Sequence, residues 1–176
     1  MNEVTQNPEL EKPSILYHAS PNRGITVFHP KKESFREANE GPVVFATPDK
    51  AYAMIFLIKT DNAWTTIGRF SEAGVPGPWH IIISDRDRFE KADVGGTLYE
   101  FDPKDFSYDK KRNMGNIEWT SQNPVKPIRK EDYPSGLEAM KSAGINVYFV
   151  DEATFNVIRH ANDDGKSIIN TLTLEA

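Results

Sequence analysis

Short apolar blocks separated by polar and turn-forming residues run along most of this 176-residue chain. Apolar runs of roughly four to eight residues bounded by glycine, proline, asparagine or aspartate are typical of buried strands. Stretches rich in capping residues and ending in glycine indicate helices between them. We therefore expect an α+β fold with strands at residues 15–18, 42–46, 79–84, 97–101, 116–121, 146–150 and 168–174.

Capping residues predict three helices, because their side chains accept hydrogen bonds from the unpaired amides of a first helical turn. The first helix is expected to have Thr47 as N-cap and Pro48 as first residue, and to run through about residue 58. It should be largely buried, because residues 51–58 are apolar nearly all round. The other two begin at Ser135, which forms a capping box with Glu138 and ends at Gly144, and at Asp151, which caps a helix through about residue 161.

Several segments are predicted to lack regular structure. Residues 1–13 contain two prolines and three glutamates and predict a mobile arm, followed by a single domain over residues 14–176. Residues 31–41 are charged and predict a surface loop. Residues 61–78 hold a Gly-Val-Pro-Gly-Pro run and predict a long loop of the kind that often forms a lid. Residues 85–90 alternate in charge but lack the glycine and final glutamate of a calcium loop, which favours a solvated turn.

Composition narrows the possible chemistry. The chain has no cysteine, which excludes disulfides, cysteine-ligated zinc, iron–sulfur clusters and thiol catalysis, and fits a reducing, cytoplasmic compartment. The formal charge is −5, from 21 Lys and Arg against 26 Asp and Glu, which disfavours a nucleic-acid partner. No apolar run approaches the roughly 20 residues of a membrane helix, and the N-terminal residues do not resemble a secretory signal.

Common catalytic and nucleotide-binding motifs are missing from the sequence. It has no Gly-Lys-Ser/Thr phosphate loop, no Gly-x-Gly-x-x-Gly pattern and no Gly-x-Ser-x-Gly elbow. The four histidines are scattered and never take the His-Glu-x-x-His spacing of a zinc hydrolase, so we expect no metal site.

Three features remain as candidates for a functional site. His18 lies where an apolar strand meets a polar turn, which fits either a cleft edge or a hydrogen-bonded structural histidine. Glu118 is flanked by Ile and Trp within a predicted strand, so its side chain either faces solvent or lines a cleft that needs a carboxylate. Tyr52 and Phe56 are spaced i, i+4 on the first helix, where an aromatic stripe ordinarily belongs to the core.

Taken in order, these fragments resemble the ADP-ribosyltransferase superfamily, in the branch with a His–aromatic–Glu triad shared by poly-ADP-ribose polymerases and diphtheria-type toxins. Leu16-Tyr17-His18-Ala19-Ser20 resembles the first motif, an apolar strand ending His-Gly-Ser or His-Gly-Thr, with alanine in place of the usual glycine. Val44-Phe45-Ala46-Thr47 with Ala53 and Phe56, or by a shifted alignment Tyr52, resembles the second. Glu118-Trp119-Thr120-Ser121 with Val125 and Pro127 resembles the third.

The resemblance implies a fold, a substrate and residue roles. The implied fold is a split, mostly antiparallel sheet core with flanking helices, and NAD is bound as a substrate between the two halves, without a metal. His18 would bind the ribose hydroxyls, the backbone of Ala19 would pair with the nicotinamide amide, and Ser20 would lend a hydroxyl. Phe56 or Tyr52 would stack on the nicotinamide ring. Glu118 would hold the ribose 2′-hydroxyl, stabilise the developing positive charge and orient the acceptor.

The implied activity is cleavage of the nicotinamide–ribose bond and transfer of ADP-ribose to an unidentified acceptor, with a protein as one candidate. Two alternatives stay open at this point. One is a non-catalytic NAD- or nucleotide-binding or protein-interaction domain of the same fold, suggested by Ala19 and Phe56. The other is a globular interaction domain whose motif matches arose by chance.

Overall fold

A computed structural model describes residues 11–31, 41–108 and 117–175, and within them the chain forms nine strands and five helices. The strands are β1 (Leu16–Ser20), β2 (Val44–Ala46), β3 (Thr65–Glu72), β4 (Val75–Ile83), β5 (Gly96–Phe101), β6 (Ser107–Tyr108), β7 (Trp119–Ser121), β8 (Arg129–Tyr133) and β9 (Asn146–Phe149). The helices are α1 (Lys50–Met54), α2 (Arg86–Ala92), α3 (Gly136–Ser142), α4 (Glu152–His160) and α5 (Lys166–Ile169).

The strands form three sheets of three strands each, in the orders β1-β5-β8, β2-β7-β6 and β3-β4-β9. Every pairing is antiparallel except that between β4 and β9. The α+β prediction with mostly antiparallel sheets is therefore confirmed.

In the described residues, one backbone bridge beside β1 joins the first two sheets. Tyr17 and Thr47 exchange both backbone hydrogen bonds, at 2.7 and 2.9 Å, and this bridge sets β2 next to β1. Across the two sheets the strands therefore lie in the order β8-β5-β1-β2-β7-β6, and regular backbone pairing is interrupted between β1 and β2. The backbone pairing of the sheet is thus interrupted beside the strand that carries His18.

Three apolar clusters fill the spaces between these layers. The first joins the sheet around β1 and β5 to α1, α3 and the inner face of β4 and β9, with Leu57, Ile81 and Leu98 fully buried. The second lies under β1, β2 and β7 and contains Phe28 and Trp119. The third packs α4 and α5 on the other face of β4 and β9.

Helices with strong local capping signals form where the sequence predicts them. The Ser135 hydroxyl accepts from the amide of Glu138 at 3.2 Å, and the helix is followed by Gly144 with φ of 77°. The Asp151 carboxylate accepts from the amide of Thr154 at 2.7 Å at the start of α4. Both helices have caps formed by neighbouring residues, which is why the sequence was sufficient to predict them.

The long loop predicted over residues 61–78 is wrong, because β3 and β4 form a hairpin there. The chain turns at Ala73 and Gly74, whose φ values are 50° and 80°, as a two-residue hairpin turn requires. A loop was predicted because the segment contains Pro76 and Pro78, and proline donates no backbone hydrogen bond to a neighbouring strand. They are tolerated because β9 pairs only with the later part of β4, from His80 onwards.

Three further predictions need correction. The first helix is capped by Asp49, not Thr47, and gives way after Met54 to a 3₁₀ turn, Ile55–Leu57. Residues 85–90 are not a solvated turn, because the Asp85 carboxylate accepts from the amide of Arg88 and starts α2. Residues 168–174 are not a strand, since they begin inside α5 and continue without regular structure.

Most of the predicted arm at 1–13 and of the predicted loop at 31–41 lies outside the described residues, as does residue 116 of the predicted strand at 116–121. No helix in the described parts of the chain is long and apolar enough to cross a membrane.

Candidate functional site

His18 lies at the split between the first two sheets. Its Nδ1 is 2.8 Å from the carbonyl oxygen of Phe45 in β2, and its ring meets Phe28 edge-on with centroids 4.9 Å apart. Because a carbonyl only accepts hydrogen bonds, Nδ1 carries the proton, and Nε2 is the acceptor when the ring is neutral. His18 is therefore a hydrogen-bonded histidine at a sheet junction, with its tautomer set by Phe45.

This contact explains why the sheet divides where it does. Backbone groups on a strand point alternately to either side, so Ala19, like Tyr17, directs its amide and carbonyl away from β5 and towards β2. A continued ladder would offer the Phe45 carbonyl to the Ala19 amide. The His18 imidazole takes that carbonyl instead, and no backbone hydrogen bond joins Ala19 to the described residues of β2.

Ser20 has a local structural contact. Its hydroxyl oxygen accepts from the amide of Asn22 at 3.1 Å and so stabilises the turn that follows β1. The same turn is tethered by Arg23, whose guanidinium donates to the carbonyls of Val94 and Tyr133, each at 3.0 Å.

Glu118 lies immediately before β7, on the opposite side of β2 from β1. β7 pairs with β2 through Trp119 and Ala46, so β2 separates the strands that carry His18 and Glu118. Neighbouring strands are about 4.8 Å apart, which puts the two backbones about 10 Å apart. Glu118 is partly exposed, whereas Trp119 is buried in the second cluster. The fold thus places the backbones of the first and third motifs on either side of β2. The His18 ring packs against Phe28 on the face that the Trp119 side chain shares, and neighbouring residues of an extended chain alternate between faces, so we expect Glu118 on the opposite face from His18.

Tyr52 and Phe56 lie together beside the first cluster. Tyr52 is tilted over Trp79, with centroids 4.6 Å apart, and meets Phe56 edge-on at 5.2 Å. Phe56 is 40% exposed although it follows a buried helix. The two rings are thus in contact with each other, and Phe56 is the more exposed of the two.

An ionic group beside this pair was missed by sequence reasoning. The second carboxylate oxygen of Asp49 accepts from the Trp79 indole at 2.8 Å and lies 3.4 Å from the Arg69 guanidinium, which sits 4.5 Å above the Trp79 ring. Arg69 fell within the predicted loop, so no local pattern linked it to Asp49. Only the β3–β4 hairpin brings these residues to the start of α1.

A row of polar side chains crosses the first sheet, on the face opposite to the His18 side chain. Tyr17, Glu100 and Arg129 are adjacent across β1, β5 and β8. Burial, and then the Glu100 charge, raise the pKa of Tyr17, and burial with nearby Glu131 raises the pKa of Tyr133 to about 12. These tyrosines are therefore neutral at physiological pH.

A cavity of about 320 Å³ lies elsewhere, between β3 and β4 on one side and α4 and α5 on the other. None of the six residues predicted from the sequence as site residues lines it. Its wall includes His80, which is 7% exposed and stacked on Phe70 with centroids 4.8 Å apart. Burial lowers the pKa of His80, so its imidazole is neutral at neutral pH.

The buried imidazole predicts acid sensitivity. Since the pKa of His80 is lower in the folded chain than in the unfolded chain, the unfolded chain binds the extra proton first as the pH falls below about 6.5. The free energy of unfolding should therefore decrease from pH 7 towards pH 5, by about 1.4 kcal/mol for each tenfold difference in proton affinity. Urea denaturation of the wild-type chain and of His80→Gln at several pH values measures this. An equal slope in both proteins would contradict the assignment.

Comparison with known proteins gives no match: no protein-family model, curated protein or solved structure is significantly similar to this chain. In the residues that the structure describes, no group of three or more His, Asp or Glu side chains is arranged to hold a metal ion.

Proposed function

We propose that this chain is an NAD-dependent ADP-ribosyltransferase that cleaves the nicotinamide–ribose bond and transfers ADP-ribose to an unidentified acceptor. The observation that carries the proposal is the split at His18. There the Ala19 backbone turns an amide and a carbonyl away from β5, and Glu118 lies across β2. A primary amide such as that of nicotinamide needs one acceptor and one donor, which a single extended residue supplies.

The contacts of His18 and Phe56 are compatible with their proposed roles. His18 keeps its Nδ1 proton on Phe45, so that Nε2 of the neutral ring accepts from a ribose hydroxyl. Phe56 or Tyr52 would provide the aromatic face for the nicotinamide ring. Ala19 is 4% exposed, so the nicotinamide amide reaches its backbone only if the sheets separate slightly at the split.

The proposed reaction breaks the bond between ribose C1′ and the nicotinamide nitrogen. The bonding electron pair leaves with the cationic ring, which becomes neutral nicotinamide, and positive charge develops on the ribose as in glycoside hydrolysis. The Glu118 carboxylate stabilises that charge and accepts the proton of the attacking acceptor hydroxyl or amine. No metal is required, because the leaving group is already activated. The chain without cysteine is compatible with a cytoplasmic location, which is part of the same proposal.

Nicotinamide release from labelled NAD tests the proposal. Glu118→Gln keeps the size of the side chain and removes its charge, so release should fall by about 10²–10³-fold, the usual effect of losing one preorganised charge. The thermal shift caused by millimolar NAD should remain, because most binding contacts are retained. Glu138→Gln is the matched control, since Glu138 is an exposed carboxylate on α3 and should leave release unchanged.

The outcomes separate the alternatives. An NAD-induced thermal shift without nicotinamide release would favour the non-catalytic nucleotide-binding domain. If millimolar NAD causes neither a thermal shift nor nicotinamide release, the transferase and the nucleotide-binding hypotheses are both wrong and the motif matches are accidental. Equal loss in Glu118→Gln and Glu138→Gln would mean that Glu118 has no special part in the reaction.

A further inference from the structure

We propose that the cavity between the β3–β4 hairpin and the α4–α5 pair binds a small zwitterion with the chemistry of a free α-amino acid. This site is separate from the His18 junction and does not depend on the transferase proposal. It is a concave space of about 320 Å³, at the lower end of the range typical of small-ligand pockets.

The floor of the cavity has a histidine without a polar partner. His80 lines the cavity, is more than nine-tenths buried, and makes no hydrogen bond within the described residues. A polar group of a ligand in the cavity would supply the imidazole with a hydrogen-bond partner. Neutral imidazole offers one donor and one acceptor, and Thr66 beside it offers a hydroxyl.

Gly68 lies directly against the His80 imidazole, as its cross-strand partner in the β3–β4 pair. A methyl group on Gly68 would lie 2.9 Å from Nε2 of His80, closer than atoms pack. The backbone of Gly68 does not require glycine, since its φ is not positive. Glycine at residue 68 therefore allows the imidazole to pack directly over β3.

Opposite charges line the same cavity without neutralising each other. Arg159 and Asp164 both contribute to its wall and are exposed to solvent, and the ion pairs of the described residues do not include one between them. Arg159 donates to the carbonyl of Asn62 at 2.8 Å, which holds its guanidinium in place. A carboxylate of the ligand would bind Arg159, and an ammonium group would bind Asp164.

These groups together define the class of ligand. An α-amino acid carries a carboxylate and an ammonium group on one carbon and projects its side chain away from them. Here the side chain would pass between Ile158 and Ile169 towards His80 and Thr66. We therefore expect preference for amino acids with a polar group at the end of the side chain.

Solution NMR on the full chain tests the proposal, with each of the twenty L-α-amino acids added singly at millimolar concentration. At least one should shift the amide signals of Gly68, His80 and Arg159. Its deaminated acid and its decarboxylated amine should each bind at least tenfold more weakly. Arg159→Ala and Asp164→Asn should weaken binding by a similar factor, and Gly68→Ala should abolish it.

Arg88→Ala is the matched control. Arg88 also tethers the turn before β3, through Asp61 at 2.7 Å, but it does not line the cavity, so its loss should leave binding unchanged. The proposal is overturned if no amino acid shifts these signals, if the deaminated acid or the amine binds equally well, or if Arg88→Ala weakens binding as much as Arg159→Ala. Nicotinamide release by Glu118→Gln is measured separately, so failure here leaves the transferase test intact.

Discussion

Replacing Gly95 by alanine is expected to destabilise the chain by about 2–5 kcal/mol. Gly95 has φ of 69°, and a left-handed conformation costs an ordinary residue about 1–2 kcal/mol. In addition, the new methyl group would lie 2.2 Å from the carbonyl oxygen of Tyr133 and 2.6 Å from that of Pro134. Backbone atoms cannot rotate away, so β5 must shift from β8, at a further cost of about 1–3 kcal/mol.

Gly144→Ala provides the control for this effect. Gly144 has φ of 77°, but a methyl group there would meet no atom within 4 Å. It should therefore show only the conformational cost, about 1–2 kcal/mol. Urea denaturation at pH 7 measures both variants. Equal losses would show that β5 and the segment after β8 do not approach each other as closely as described.

The Gly95 junction also bears on the candidate transferase site. Arg23, in the turn after His18, donates to carbonyls on both sides of this junction. A shift of β5 would therefore loosen that turn as well. We expect Gly95→Ala to weaken NAD binding at temperatures where the chain is still folded.

Asp93→Ala is expected to cost about 3–4 kcal/mol at pH 7. The carboxylate of Asp93 accepts from the Ser135 hydroxyl at 2.8 Å and from the amides of Gly136, Leu137 and Gly95 at 2.6, 3.1 and 3.2 Å. Alanine would leave these donors, three of them at the start of α3, without their partner. Each hydrogen bond to a charged group contributes about 1.5–3 kcal/mol, and water recovers part of the loss.

The loss of stability in Asp93→Ala should depend on pH, because the Asp93 carboxylate is protonated in acid. Burial acts to raise the pKa of Asp93, but the hydrogen bonds from Gly136, Ser135, Leu137 and Gly95 outweigh it and hold the pKa below its ordinary value. The stabilisation is complete above the unfolded pKa of about 3.9 and is lost as the pH falls through the lower folded value. The wild-type chain and Asp93→Ala should therefore converge in stability in strong acid.

Asp151→Ala is the matched control for Asp93. Asp151 is an ordinary N-cap that accepts from the amide of Thr154, so its loss should cost about 1 kcal/mol. Thermal unfolding at pH 7 should therefore show a much larger fall in Tm for Asp93→Ala. Similar falls would mean that the contacts from β5 and α3 to Asp93 add little to a simple cap.

The sequence alone was sufficient to predict those helices and strands that interactions between neighbouring residues stabilise. Ser135 and Asp151 cap helices through amides three residues away, and the apolar runs around Leu16 and Val147 form strands because each buries its own side chains. The absence of cysteine likewise needs no structure to exclude thiol chemistry. These conclusions rest on interactions within a few residues or on composition.

The tertiary structure decided the features that depend on distant partners. β8 is a run of charged residues and forms a strand because it pairs with β5. The prolines of β4 are tolerated because β9 pairs with the strand only beyond them. The Phe45 carbonyl is 27 residues from His18 in the chain, yet it sets the imidazole tautomer. His80 lines a cavity only because Gly68 lies across from it and α4 and α5 pack over it. Local sequence therefore determines the elements that carry their own caps or bury their own side chains, whereas long-range pairing determines the remaining strands and which side chains meet.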